Sequence, residues 1–311
     1  MKCLFGFLFL FATSSIAQSR IFTILPLGVK GGGDEGNLSC YMVAAVGTNN
    51  YVCLDAGTLN AGLQKAIRNH IIKGSPEEFI RNNIKGYLIS HGHLDHLSGL
   101  ILNSPDDGPK NIYVLPFVKE VLKEKYFTPQ GWTNFANEGE TPLNKYHYVT
   151  LEVAKESPLT GTNLFVTAFP LSHGSPYKSS AFLIRSGINY LLYLGDTGAD
   201  AMEQSNNLEL LWAYVAPLVQ AKKLKAIFIE CSFQNEQPNN KLFGHLTPKL
   251  LLNELHNLTE VAGEKNMREV SIVITHIKPG GSHETLIKKQ LSEGKGKMKF
   301  IYPVQGNRVD F

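Results

Sequence analysis

The chain has 311 residues, 43% of them apolar and 10% aromatic, and a formal net charge of +3. That composition supports an ordinary globular core. So small a charge, with no Lys/Arg block, excludes the electrostatic footprint of a protein that binds long nucleic acid.

The first seventeen residues read as separate from the fold. Lys2 precedes an apolar run over 4–12, and Ser15-Ile16-Ala17 put small residues at the −3 and −1 positions of a cleavage site. This is the pattern of a secretory signal peptide cut after Ala17. The run is shorter than the ~20 residues of a spanning helix, so no stable membrane anchor is expected. No linker divides the remainder, and 18–311 is expected to form one domain, exported to the periplasm or secreted. Cys3 leaves with the signal. Cys40, Cys53 and Cys231 read as small buried residues. Export permits a disulfide without demanding one, and simple hairpin register about 47–50 does not set Cys40 opposite Cys53.

Strands are predicted over 21–27, 38–46 and 51–55, then a helix over 59–70 and a buried strand over 86–90. A helix follows from 97, then a strand over 111–115 and a proline-started helix over 116–126. The segment 127–148 is rich in Pro, Gly and aromatics with weak periodicity, which suits a lid or binding loop as well as a packed surface excursion. Further strands are predicted over 164–168, 180–185, 190–194, 226–229, 270–275 and 299–302. Helices are predicted over 206–222, 248–258 and 284–291. Hairpin strands open each half and helices alternate with strands after them. The expected architecture is α/β, with two facing β layers and helices outside.

The chemistry concentrates in His91-Gly92-His93-Leu94-Asp95-His96, at the carboxyl end of the 86–90 strand. Open α/β sheets place their sites at such ends. Imidazoles with a carboxylate suit zinc or a similar divalent ion. Four donors in six residues exceed one open catalytic site and point to two adjacent metals. His173, Asp196 and His276 each follow an apolar strand. Any one alone is equally a capping or hydrogen-bonding group. Together they complete a two-metal set, in which the two oxygens of Asp196 can bridge. Two such ions ~3.5–4 Å apart clamp a phosphate ester and turn a shared water into hydroxide. Glu230 ends a strand, and His245 leads into a helix. Glu230 could orient His245 and keep it protonated as a general acid; the alternative is a plain helix-flanking histidine. His70, His147 and His256 read as structural or solvated, and His283 as a helix cap.

The run from His91 to Pro105 resembles the signature of class II 3′,5′-cyclic-nucleotide phosphodiesterases, within the metallo-β-lactamase superfamily. Leu54-Asp55-Ala56-Gly57, Gly195-Asp196-Thr197, Gly244-His245-Leu246-Thr247-Pro248 and Thr275-His276-Ile277-Lys278-Pro279 are similar to the family as well. The resemblance implies a four-layer αββα sandwich and two Zn2+ or other divalent ions. It implies hydrolysis of cyclic AMP or cyclic GMP to the 5′-monophosphate by a metal-bridging hydroxide. It also implies that His91, His93 and His173 hold one metal, that Asp95, His96 and His276 hold the other, and that Asp196 bridges. Asp95, Glu230 and His245 are the candidate catalytic residues. Phe127, Trp132, Phe135 and Tyr146 are candidates to stack on the base. The expected partner is a small cyclic nucleotide; oligomeric state is left open, a homodimer included. Two alternatives on the same fold are an RNA phosphodiesterase, which export disfavours, and a lactonase, which the long signature disfavours. An exported metal-binding protein without catalysis is a third, disfavoured by the complete ligand set.

Overall fold

The computed structural model describes residues 20–294 and 296–311, and the expected signal peptide at 1–17 lies outside them. One sheet is built from β1 (Phe22–Gly28), β2 (Cys40–Ala45), β3 (Tyr51–Leu54), β4 (Ile84–Leu88), β5 (Lys110–Val114) and β6 (Tyr146–Thr150). The other holds β7 (Glu156–Leu159), β8 (Leu164–Ser172), β9 (Lys178–Ser186), β10 (Asn189–Leu194), β11 (Leu224–Glu230), β12 (Ser271–Thr275) and β13 (Lys299–Ile301). A last strand, β14 (Val309–Asp310), returns to the edge of the first sheet beside β1.

Period-two alternation sets the layers. On β2, Cys40, Met42 and Ala44 join an outer core, while Tyr41 and Val43 face the second sheet. The inter-sheet core also takes Val52, Leu54, Phe182, Ile184, Tyr193 and Phe228. Each such fully buried side chain contributes roughly 1.5–3 kcal/mol. The outer face of the first sheet is covered by α1 (Asn60–Arg68), α2 (Pro76–Asn83), α3 (Leu94–Asn103) and α4 (Pro116–Val121). After the short α5 (Asp200–Glu203), α6 (Asn207–Gln220) and α7 (Pro248–Ala262) cover the second sheet. They are joined, past the short α8 (Glu264–Met267), by α9 (His283–Gly294). The layers are α, β, β, α, as expected.

Strand direction brings the candidate residues together. β9 runs antiparallel to both β8 and β10, and β10, β11 and β12 are mutually parallel. The carboxyl ends of β8, β10, β11 and β12 therefore share one edge of the second sheet. β3 and β4 are parallel in the first.

Several local expectations are corrected. α3 begins at Leu94, so Asp95 and His96 lie in its first turn, where the helix dipole favours the carboxylate. The helix from Pro116 stops at Val121 and continues as a π-helix, Leu122–Tyr126. The 127–148 segment is a packed excursion ending in β6: Phe127, Ala136 and Tyr146 are fully buried. The cysteines, by contrast, are as expected: Met42, not Cys40, pairs with Cys53, and all three described cysteines are free and buried. Among the described residues no helix is long and apolar enough to cross a membrane.

Candidate metal centre

Donor atoms gather at the shared edge in four overlapping groups, two of which (His173, Asp196 and His245; Glu230, His245 and His276) include His245; the other two match the expected metal sets. His91, His93 and His173 make one; Asp95, His96, Asp196 and His276 make the other. In each group the donor atoms lie within 4.8 Å of one another. Asp196 is the hub. Its Oδ2 is 3.1 Å from His276 Nε2 and 3.2 Å from His96 Nε2, and 3.8 Å from the Nε2 atoms of His91 and His173. His276 Nε2 also meets Asp95 Oδ2 at 3.1 Å. Gly31 makes room for that ring, because a Cβ there would fall 2.1 to 2.5 Å from three His276 ring atoms.

The rings are held from behind by two matching relays. In the first sheet, buried Asp55 accepts from His96 Nδ1–H at 2.7 Å and from the Ser90 hydroxyl at 2.7 Å. Ser90 Oγ in turn accepts from His91 Nδ1–H at 2.9 Å. In the second sheet, Glu230 accepts from His245 Nδ1–H at 2.7 Å and from the Ser232 hydroxyl. Ser232 Oγ accepts from His276 Nδ1–H at 2.8 Å. His173 Nδ1–H donates to Gly244 O at 2.9 Å. Each relay fixes the Nδ1–H tautomer and sends Nε2 inward, the usual support of a ligating imidazole. His93 differs: its Nδ1 faces His173 Nε2, 3.2 Å away.

The electrostatics suit cations. Burial, and then His96, hold His91 well below the usual imidazole range. Burial pushes His173 down to about 4, and lowers His93. These rings are neutral and ready to donate a lone pair. Burial opposes charge on Asp196, yet His276 and His96 outweigh it and hold the carboxyl well below its usual range. Burial likewise opposes charge on Asp95, where His96 and His276 win. On His96 burial disfavours the proton, but Asp196, Asp55 and Asp95 override it and hold the ring well above its usual range. Three carboxylates around one ring demand positive charge. The Nε2 atoms of His91 and His96 are buried without a hydrogen-bond partner. Buried imidazole nitrogens without partners beside an excess of carboxylate are what a divalent-cation site needs, so the donor set fits metal.

The aromatic candidates for the base are corrected. Tyr146 is fully buried with its hydroxyl on Asp107 at 2.8 Å. Phe135 lies in the outer core under the Lys145 ammonium. Trp132 packs on that core and donates Nε1–H to Ser104 Oγ at 3.0 Å. Phe127 is buried in the same cluster. Packing, not ligand contact, occupies all four. Asp55, Ser90 and Ser232 received no role in the sequence reading, and only the fold joins them to the histidines.

Comparison with known proteins gives the family and the fold. The family model for class-II cAMP phosphodiesterases matches residues 72–294. The 3′,5′-cyclic-nucleotide phosphodiesterase of Aliivibrio fischeri is 40% identical over 312 residues, covering 95% of this chain and 94% of that protein. Unliganded yeast PDE1 superimposes with a TM-score of 0.84 at 22% identity, over 94% of this chain and 100% of its own. A metallo-β-lactamase-fold protein of Bacillus subtilis superimposes with a TM-score of 0.63 at 14% identity, over 94% of this chain and 100% of its own.

Proposed function

The chain belongs to the class-II cAMP phosphodiesterases and is a metal-dependent 3′,5′-cyclic-nucleotide hydrolase, and we propose that it cleaves the P–O3′ bond at a two-zinc centre. His91, His93 and His173 would hold one ion; Asp95, His96 and His276 would hold the other; Asp196 would bridge. When bound, the pair supplies Lewis-acid stabilisation of phosphoryl charge and lowers the pKa of water. The observation that carries this reading is the convergence of four imidazole Nε2 atoms on Asp196 Oδ2 within 3.1 to 3.8 Å.

The chain's own groups account for the rest. Glu230 fixes the His245 ring through Nδ1–H. Burial opposes a proton on His245, but Glu230, by charge and hydrogen bond, and Asp196 hold its pKa above the usual imidazole range. A protonated His245 can give its Nε2 proton to the departing ribose 3′-oxygen, leaving the phosphate on the 5′-carbon. Asp95 and Asp196 stay ionised and keep the site anionic enough to retain its cations.

Purified active protein is expected to contain close to two zinc-like ions per chain, and chelation to abolish turnover. Elemental analysis giving one ion or none in active enzyme contradicts the two-metal assignment.

Asp55→Asn tests the support of the site. It keeps the shape but weakens the acceptor behind His96 and Ser90, and metal affinity is expected to fall by about 10- to 100-fold. Competition titration against a chelator reads it. Unchanged affinity would make Asp55 a folding residue only.

A further inference from the structure

We infer that a cavity beside the first metal group takes the purine base of the substrate, stacked on Tyr177. The inference rests on the cyclic-nucleotide reading and gives that reading its base site. The cavity has a volume of about 420 Å³ and reaches His91 and His93. That size lies within the range of small-molecule pockets. Its lining is mainly apolar, with Phe117 and Val121 on the helix that follows β5.

Three observations point to a flat ligand. Tyr177 is 60% exposed, large for an aromatic beside an apolar cavity. Its ring meets His93 edge-on, centroids 5.1 Å apart at 66°, so a ring face is left for a partner. The wall is anchored to the metal loop: Tyr126, at the end of the π-helix, donates its hydroxyl to Gly92 O at 2.7 Å. Gly92 approaches Val121 so closely that a Cβ would sit 2.5 Å from Val121 Cγ1. π-Helical turns are rare and are frequently found at functional sites. This one fixes the cavity's distance from the histidines, and hence the distance from base to phosphate.

The charges at the cavity say how the base is read. Lys125 and Lys178 line the cavity and no carboxylate residue does, while the Lys125 ammonium lies 3.7 Å from the Glu124 carboxylate. Both purines offer N7 as an acceptor, whereas selecting guanine by its N2–H2 donor would need an acceptor. The site would therefore hold a purine by its face and its N7 edge, features that adenine and guanine share.

The test compares wild type, Tyr177→Ala and Tyr177→Phe on cyclic AMP and on methyl 4-nitrophenyl phosphate, an ester with no nucleobase. Tyr177→Ala is expected to raise KM for cyclic AMP by about tenfold or more, with kcat moved by less than about threefold. Its loss of kcat/KM on cyclic AMP should exceed that on the baseless ester by roughly fivefold or more, and Tyr177→Phe should stay within about twofold of wild type. Equal losses on both esters, a kcat loss at constant KM, or a Phe variant as damaged as the Ala variant would overturn the base site. Wild-type protein inert on cyclic AMP would instead overturn the underlying reading, and this inference with it.

Discussion

Asp196→Ala is expected to lower cyclic-nucleotide turnover by about 10³-fold or more and to release at least one metal ion. The size follows from the hub geometry. Asp196 is 2% exposed, follows β10, and its Oδ2 faces Nε2 atoms from both donor groups. No neighbouring carboxylate can replace it, because Asp95 reaches only the second group. Removing it takes away the carboxylate that faces Nε2 atoms of both donor groups and would offset the charge of two adjacent cations. Turnover and metal content of the variant are measured together. Near-wild-type turnover would place Asp196 outside the site.

His245→Ala is expected to lose about 10²- to 10⁴-fold in turnover of cyclic AMP while both metals stay bound. The ring is 6% exposed, and its proton is held by Glu230 at 2.7 Å. The loss should shrink on a nitrophenyl phosphodiester, whose leaving oxyanion needs no proton. Glu230→Gln should show a weaker form of the same pattern, since it disturbs orientation and charge only. His245 Nδ1 also lies 3.8 Å from Asp196 Oδ2. Metal content therefore separates two roles: metal lost in the variant makes His245 a ligand. Equal losses on both substrates would make it a positioning residue for the ester.

The donors were legible in the sequence because each follows an apolar strand, and strand ends in such sheets point to one edge. The supporting groups were not. Asp55 reaches His96 across 41 residues and Tyr193 across 138, contacts that only the packing of α3 and of the second sheet against the end of β3 creates. Glu230 was visible as a strand-end carboxylate, but Ser232, which links it to His276, looked like any turn serine. The base-stacking aromatics were misplaced because aromatic content in 127–148 was read as ligand contact. One of those rings, Tyr146, instead joins a buried polar network, where its hydroxyl and that of Tyr87 both donate to Asp107, which pairs with Lys110. Tyr177 gave no periodic signal, being four residues past His173 in a turn. Among the elements, α2 was missed although Ser75 and Glu78 form a capping box ahead of it. The edge strand β7, half exposed and carrying Pro158, has no apolar alternation to betray it.

The central claim is hydrolysis of a cyclic nucleotide with cleavage on the 3′ side, and product identity tests it most directly. Metal-replete protein is incubated with cyclic AMP and with cyclic GMP, and the monophosphates are resolved by chromatography. The account predicts the nucleoside 5′-monophosphate from both, and none after chelation. A 3′-monophosphate product, or no turnover of either nucleotide by protein that opens a lactone, would contradict it.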